Sequence, residues 1–223
     1  MNDFYQKFIE QLINTSYLEW VAVILAIFYI LFAIKENQWC WPAAFFSTAI
    51  YSYLFFDVNL YMESLLNSYY LVMAVYGWNQ WQKIQNSSAN NQSLPINNKT
   101  SAKGSFSTGN ISSWTIKTHL VLIFSTFILV YISAYLLNEY TNQDFALIDS
   151  FTTWFAILAT YMVTKKVLEN WIYWIIIDFV SIFLFLSKGY VLTAVLFAAY
   201  VVLAIIGWST WKKHYAQQQA INA

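Results

Sequence analysis

Along most of this chain apolar residues do not alternate with polar ones but run together. Seven runs, residues 17–35, 39–56, 60–82, 116–138, 149–167, 170–187 and 189–211, are predominantly apolar. Each is about the length of a bilayer-spanning helix, which takes roughly 20 such residues. Pro42 falls in the first turn of the second run, where a missing N–H costs a helix nothing. Between the third and fourth runs lies 83–115, rich in Asn, Ser, Gln and Lys and carrying Pro95, Gly104 and Gly109, which reads as a flexible cytoplasmic linker. Residues 1–16 are mixed and polar. They lack the basic start, short apolar core and small-residue cleavage site of a signal peptide, so the first run is expected to be a permanent span behind an extracytoplasmic N-terminus. Residues 212–223 form a short polar tail.

The pattern occurs twice. Residues 41–83 align without a gap on 171–213, an interval of 130, with 11 identities in 43 positions. The clearest match is Gly77-Trp78-x-x-Trp81-x-Lys83 against Gly207-Trp208-x-x-Trp211-x-Lys213, and upstream Ala26, Ile27 and Lys35 match Ala156, Ile157 and Lys165. A repeat of this length describes architecture. It maps spans 1–3 (residues 17–82) onto spans 5–7 (residues 149–211), with span 4 (116–138) between them. One intervening span restores direction, so the halves are expected to be parallel repeats. The expected fold class is an all-α integral membrane protein of seven transmembrane helices in a 3+1+3 parallel repeat.

Composition agrees. Of 223 residues, 59% are hydrophobic and 10% charged, where a soluble domain carries about a quarter charged residues. The formal net charge is zero, which gives no reason to expect a nucleic-acid partner. Cys40 is the sole cysteine, so neither a disulfide framework nor a cysteine metal site is expected. All eleven basic residues are lysines. Lys7 and Lys188 fall on one side of the seven-span plan and the other nine on the opposite side. The positive-inside rule then puts the N-terminus outside and the C-terminus in the cytoplasm.

Polar groups inside spans need a reason. Asp178 lies seven residues into span 6, roughly 10 Å from its inner end at 1.5 Å per residue. Glu63 lies one turn into span 3, and no lysine is expected at either depth to pair with them. Helical spacing groups Trp171, Trp174 and Asp178 on one face, Glu63, Asn67 and Tyr70 on another, and Asp149, Thr153, Thr160 and Thr164 along a third. The repeat sets Asp178 opposite Thr48 and Tyr70 opposite Tyr200. These faces are expected to converge on a midplane cavity. Trp20, Trp39, Trp41, Trp78, Trp81, Trp208 and Trp211 lie near span ends, where an interfacial belt accounts for them. A metal role is not expected for His119 or His214, and no cofactor is expected. No nucleophile elbow, zinc-binding helix motif or phosphate-binding P-loop is present, so an enzyme is not expected. Aromatic walls with a carboxylate, an amide and hydroxyls suit a planar, neutral or cationic heterocycle, and the absence of arginine and lysine from the membrane core disfavours a phosphate.

These residues resemble a known family. The stretch Asp149-Ser-Phe-Thr-Thr through Glu169-Asn-Trp-Ile-Tyr-Trp to Asp178 and Lys188-Gly-Tyr190, with Leu60-Tyr-Met-Glu-Ser-Leu-Leu-Asn67 and Tyr76-Gly-Trp-Asn-Gln-Trp81, is similar to the PnuC vitamin transporters. The resemblance implies an inner-membrane protein with a SWEET-like plan. It implies uptake of nicotinamide riboside for NAD synthesis by facilitated diffusion, with cytoplasmic phosphorylation trapping the product. Carried over by position, it implies substrate contacts from Trp171, Trp174, Asp178, Asp149, Thr153, Glu63, Asn67 and Tyr70, with Tyr200 beside them from the repeat. Asn67 stands where many relatives have glutamine, and sister branches carry thiamine or riboflavin, so another vitamin is the first alternative. A membrane receptor or sensor is the second. The expected partners are the transported nicotinamide riboside and membrane lipid. The apolar outer surface suits a homo-oligomer as well as a monomer.

Overall fold

The computed structural model describes residues 2–57, 61–92, 111–140 and 145–222. Among these the chain is helical almost throughout. The order is α1 (Asn2–Asn14), α2 (Tyr17–Ile34), α3 (Cys40–Asp57), α4 (Tyr61–Gln92), α5 (Ile116–Tyr140), α6 (Ala146–Thr164), α7 (Asn170–Ser187) and α8 (Val191–Asn222). Five of them, α2, α5, α6, α7 and α8, are long and apolar enough to cross a membrane by length and composition. That is two fewer than the seven expected. The shortfall falls on α3 and α4, which carry Ser47, Thr48, Tyr51 and Ser52, and Glu63, Ser64, Asn67 and Ser68. Hydroxyl, amide and carboxyl groups lower the mean hydropathy of both.

Helices α2, α3 and α4 pack as one bundle and α6, α7 and α8 as another, with α5 against α6. Contact between the bundles runs through α4 with α6 and through α8 with α2. The 130-residue interval turns one of these interfaces into the other. On α5, Val121, Phe124, Ile128, Tyr131 and Tyr135 are exposed along one stripe, while Thr126, Val130 and Ala134 are buried. An apolar stripe turned outward suits contact with lipid or with another protein surface.

The α2–α3 and α6–α7 turns lie at the same end of the molecule and are built alike. After α2, Glu36 N–H bonds to Ala33 O and Asn37 N–H to Phe32 O; after α6, Lys166 N–H bonds to Val163 O and Val167 N–H to Met162 O. Glu36 and Lys166 hold φ of 53° and 52°. Both turns are Schellman caps, in which a left-handed residue closes the helix and glycine is the usual occupant. Beside them sits a tryptophan cluster with the same interval. Trp81 Nε1 donates to Val163 O and Trp211 Nε1 to Ala33 O, both at 3.1 Å. Trp41 meets Trp81 edge-on at 5.4 Å between centroids, and Trp171 meets Trp211 edge-on at 5.5 Å.

This cluster corrects the belt expectation for Trp41, Trp81 and Trp211. They are buried between the bundles, and Trp81 and Trp211 have no exposed surface at all. The N–H groups of Trp81 and Trp211 find partners in the partly open carbonyls of the α6 and α2 ends, a better site than the interface for an indole near a span end. Trp39, 64% exposed, keeps the outward setting expected of it. Replacing Trp211 by phenylalanine keeps an aromatic ring and removes one buried hydrogen bond. The expected loss is about 1 kcal/mol, read as a drop of a few degrees in thermal melting in detergent. Trp81→Phe should give at least the same loss, because its bond has the same length and the equivalent acceptor and its ring also faces the Lys166 ammonium at 4.5 Å.

Three further expectations change at the ends. The N-terminal segment folds as α1, whose Gln11 donates through Nε2 to Gly189 O at 2.8 Å and accepts from Leu192 N–H at 2.9 Å, clamping it to the α7–α8 turn. Helix α4 continues to Gln92 and α8 to Asn222, because no glycine or proline interrupts Lys83–Gln92 or Lys212–Asn222. Of the expected linker 83–115, residues 93–110 lie outside the described residues. Residues 111–113 are held down: Ser112 pairs with the α6–α7 turn through Ser112 N–H to Lys166 O and Leu168 N–H to Ser112 O, and Ile111 is buried.

Candidate functional site

A cavity of about 1800 Å³ opens between the two bundles. Its rim, at the end that carries α1, includes Phe8, Leu12, Asp57, Glu63 and Lys188. Its floor is made by Ala33, Trp41, Val163 and Trp171, above the two Schellman turns. Neither Trp81, Trp211, Glu36 nor Lys166 lines it. The volume exceeds the 300–1,000 Å³ usual for a small-molecule pocket. It suits a vestibule leading to a narrower seat.

The α7 face supplies the floor and one wall. Trp171 is the second residue of α7, set where the chain leaves the α6–α7 turn. Its ring lies flat over Gly207: a Cβ there would come within 2.6 Å of it. Trp174 follows one turn later and Asp178 one turn beyond that, all three lining the cavity. Asp178 is 4% exposed, and among the described residues no hydrogen bond or ion pair engages its carboxyl group. A carboxylate buried without a partner is costly. A cation or hydroxyl beside it would offset that cost.

The α4 face brings in Glu63, Asn67 and Tyr70, at i, i+4 and i+7. Asn67 Nδ2 donates to Glu63 O at 2.9 Å, which leaves its Oδ1 as an acceptor for the cavity. Tyr69, next to Tyr70, reaches across to Ile157 O at 3.2 Å and ties α4 to the other bundle. Tyr200 on α8 stands at the interval of 130 from Tyr70 and also lines the cavity. The same interval relates Thr48 to Asp178 and Trp41 to Trp171, and all four are lining residues. Trp41 Nε1 and Trp171 Nε1 are both buried without a partner among the described residues.

Eight of the nine residues singled out in the sequence thus meet around one cavity; Thr153 does not line it. On the α6 stripe, Asp149 reaches the rim, Thr160 lines the wall, and Thr164 is fully buried away from it. At about 100° per residue Asp149 and Thr160 point within about 20° of each other, while Thr153 and Thr164 fall about 40° and 60° round the helix from Asp149. Asp149 also has a partner that its depth did not suggest, because Lys188 Nζ sits 2.9 and 3.0 Å from its two oxygens. This is an ion pair at the mouth rather than a group waiting in the interior.

Residues missed in the sequence include Tyr29 on α2 and Tyr51 on α3, which add hydroxyls to the wall. Tyr51 lies one turn after Thr48, and Thr48 was already marked as the counterpart of Asp178. The buried pair Glu36 and Lys166, with half-buried His214 beside it, was missed as well. The repeat alignment carried its signal, since Glu36 and Lys166 are opposite charges at equivalent positions.

The electrostatic balance of the lining is one-sided. Among the described residues, Glu19, Asp57, Glu63, Asp149 and Asp178 face it against one lysine, Lys188, which Asp149 already engages. Walls of low dielectric focus such a field, and the field favours cations.

A model of the nicotinamide mononucleotide transporter family matches residues 16–213. The chain belongs to that family. It is a transmembrane transporter, not an enzyme. A nicotinamide riboside transporter PnuC from Escherichia coli K12 is 24% identical over 207 residues, covering 89% of this chain and 86% of its own length. The PnuC of Shigella flexneri matches to the same extent. A crystal structure of the vitamin B3 transporter PnuC has the same fold, with a TM-score of 0.71 at 18% identity, over 96% of this chain and 89% of the other. The family match takes in the whole cavity except its α1 rim, since it begins at Ser16.

Proposed function

We propose that this transporter carries nicotinamide riboside inward across the bacterial cytoplasmic membrane. The observation that carries the choice is the lining: five carboxylates, one compensated lysine and paired tryptophans. Nicotinamide riboside is a flat pyridinium cation joined to a neutral sugar. Tryptophan faces attract such a ring, and the acids attract its charge. The mononucleotide adds a phosphate that would meet carboxylates and no free cation among the described lining residues. The riboside named for the PnuC relatives therefore fits better than the mononucleotide in the family's description.

In this reading seven helices, α2 to α8, cross the membrane in a 3+1+3 parallel arrangement, and α3 and α4 spend their polar residues on the cavity. The N-terminus lies outside and the C-terminus in the cytoplasm, as the lysine distribution favours. Trp171 and Trp174 hold the ring, and Asp178 holds its charge or a ribose hydroxyl. Asn67, Tyr70 and Tyr200 complete the polar contacts, and Glu63 and Asp149 draw the cation in at the mouth. The bundles then rock so that the site faces each side in turn. Movement is downhill, and phosphorylation in the cytoplasm makes it one-way, because the phosphorylated product no longer fits.

Purified protein in liposomes should take up labelled nicotinamide riboside with saturation and leave the mononucleotide outside. Equal uptake of both would refute the assignment. Thiamine, also a flat cation, is the competitor to include, and riboflavin, which is neutral, should compete least.

A further inference from the structure

Below the tryptophan floor lies a buried ion pair. Lys166 Nζ is 2.9 Å from Glu36 Oε2, and neither side chain has any exposed surface. The other carboxylate oxygen, Glu36 Oε1, is 2.8 Å from His214 Nδ1 on the extension of α8. The ammonium also stands over the ring of Trp81, 4.5 Å from its centroid. Burying two charges costs several kcal/mol each before their attraction is counted, so a hydrophobic pair would often hold a fold as well or better. Stability alone is thus a weak account of this pair.

Its position suggests another. Glu36 and Lys166 are separated by the repeat interval, yet they touch each other. Equivalent residues of two halves can touch only on the pseudo-twofold axis that relates them, and Trp81 and Trp211 do the same, 6.3 Å between ring centroids. Both charges sit at the left-handed position of a Schellman cap, φ 53° and 52°, where glycine is unstrained and a side chain is not. Each turn thus accepts strain in order to aim one charged side chain at the axis. The cavity stops directly above, and Trp81 and Trp211 bond across to the carbonyls of the opposite bundle.

We propose that Glu36 and Lys166, backed by His214 and roofed by Trp81, are the latch that seals the cavity at the turn face. Given the alternating exposure read above, on which this inference rests, any opening toward that face must part the two turns at the axis. An ion pair there is strong while dry and replaceable by water once parted, so it closes tightly without making opening irreversible. A hydrophobic seal of the same area would expose apolar surface on opening and gain nothing from the entering water.

Cys40, the sole cysteine, gives a reporter. It is fully buried beside Trp41 at the end of the α2–α3 turn. In the wild-type transporter in liposomes, a maleimide should label Cys40 slowly, and nicotinamide riboside should speed the labelling. Lys166→Met and Glu36→Gln should each raise the substrate-free rate by about tenfold or more, as loss of one partner of a buried pair requires, and should lower riboside exchange. The exchanged pair, Glu36→Lys with Lys166→Glu, should label more slowly than either single variant and recover part of the exchange, because both positions share one backbone conformation while His214 and the Trp81 ring then face the opposite charge. This arm holds even where the single variants fold poorly. Single variants with wild-type labelling would overturn the latch. So would an exchanged protein as labile as the singles; a wild-type rate that riboside does not move, with fast single variants and a slow exchanged protein, would count against the riboside assignment instead. The substrate-free rates do not depend on what is transported, so failure of the latch and failure of the riboside assignment give different results.

Discussion

Replacing Asp178 by alanine should lower riboside affinity by about 100-fold, while the purified protein melts within a few degrees of wild type. The direction follows from its surroundings. Asp178 is buried in the α7 wall and engages no group among the described residues. Removing it therefore breaks no internal contact and leaves no partner stranded. What disappears is the buried charge facing the ligand, and a hydrogen bond to a charged group contributes about 1.5–3 kcal/mol. Asp178→Asn should fall between the two, keeping the ability to bond a ribose hydroxyl but not the attraction for a pyridinium. Calorimetric titration of the three proteins separates these contributions. Unchanged affinity in the alanine variant would remove Asp178 from the site.

Adding one methyl group at Gly207 should impair both stability and binding. A Cβ built there lies 2.6 Å from Trp171, against an ordinary contact of 3.4 Å or more. The ring cannot simply retreat, because Trp211 stands edge-on at 5.5 Å. Overpacking of this kind costs about 1–3 kcal/mol. The yielding direction is upward into the cavity, where Trp171 would sit in the ligand's place. Gly207→Ala should therefore lower melting by several degrees and weaken riboside binding more than tenfold, a loss that follows if the displaced ring costs about 1.4 kcal/mol of binding. Gly77→Ala is the matched control. Its Cβ meets Trp41 at 2.3 Å, so stability should fall at least as much. Binding should fall less, because the helix of Trp41 carries Thr48 at the position where α7 carries Asp178. Equal loss of binding in both variants would mean that the two indoles contribute alike.

The helices were legible because long apolar runs have few alternative structures, and α7 occupies residues 170–187 as expected. The face of each helix was legible where period and chemistry agreed, as for Trp171, Trp174 and Asp178. Two kinds of feature were not. Proximity across the repeat depends on how the halves approach, and sequence spacing within one helix does not report it. Asp149 thus gave no sign of Lys188, nor Glu36 of Lys166. The setting of tryptophans near span ends was equally hidden, because lipid headgroups and open helix-end carbonyls both accept an indole N–H. Only the packed structure distinguishes Trp39, turned outward, from Trp81, which bonds to Val163 O.

The opposite charges at Glu36 and Lys166 also bear on how such a protein can be assembled from parts. Two copies of the first half would place glutamate against glutamate in a box without water, and two copies of the second would place lysine against lysine. Only unlike halves neutralise the axis. A gene that doubled into two identical halves would have carried that repulsion until one copy changed sign. Once it had changed, neither half could replace the other, and the order in which the chain presents them became part of its identity.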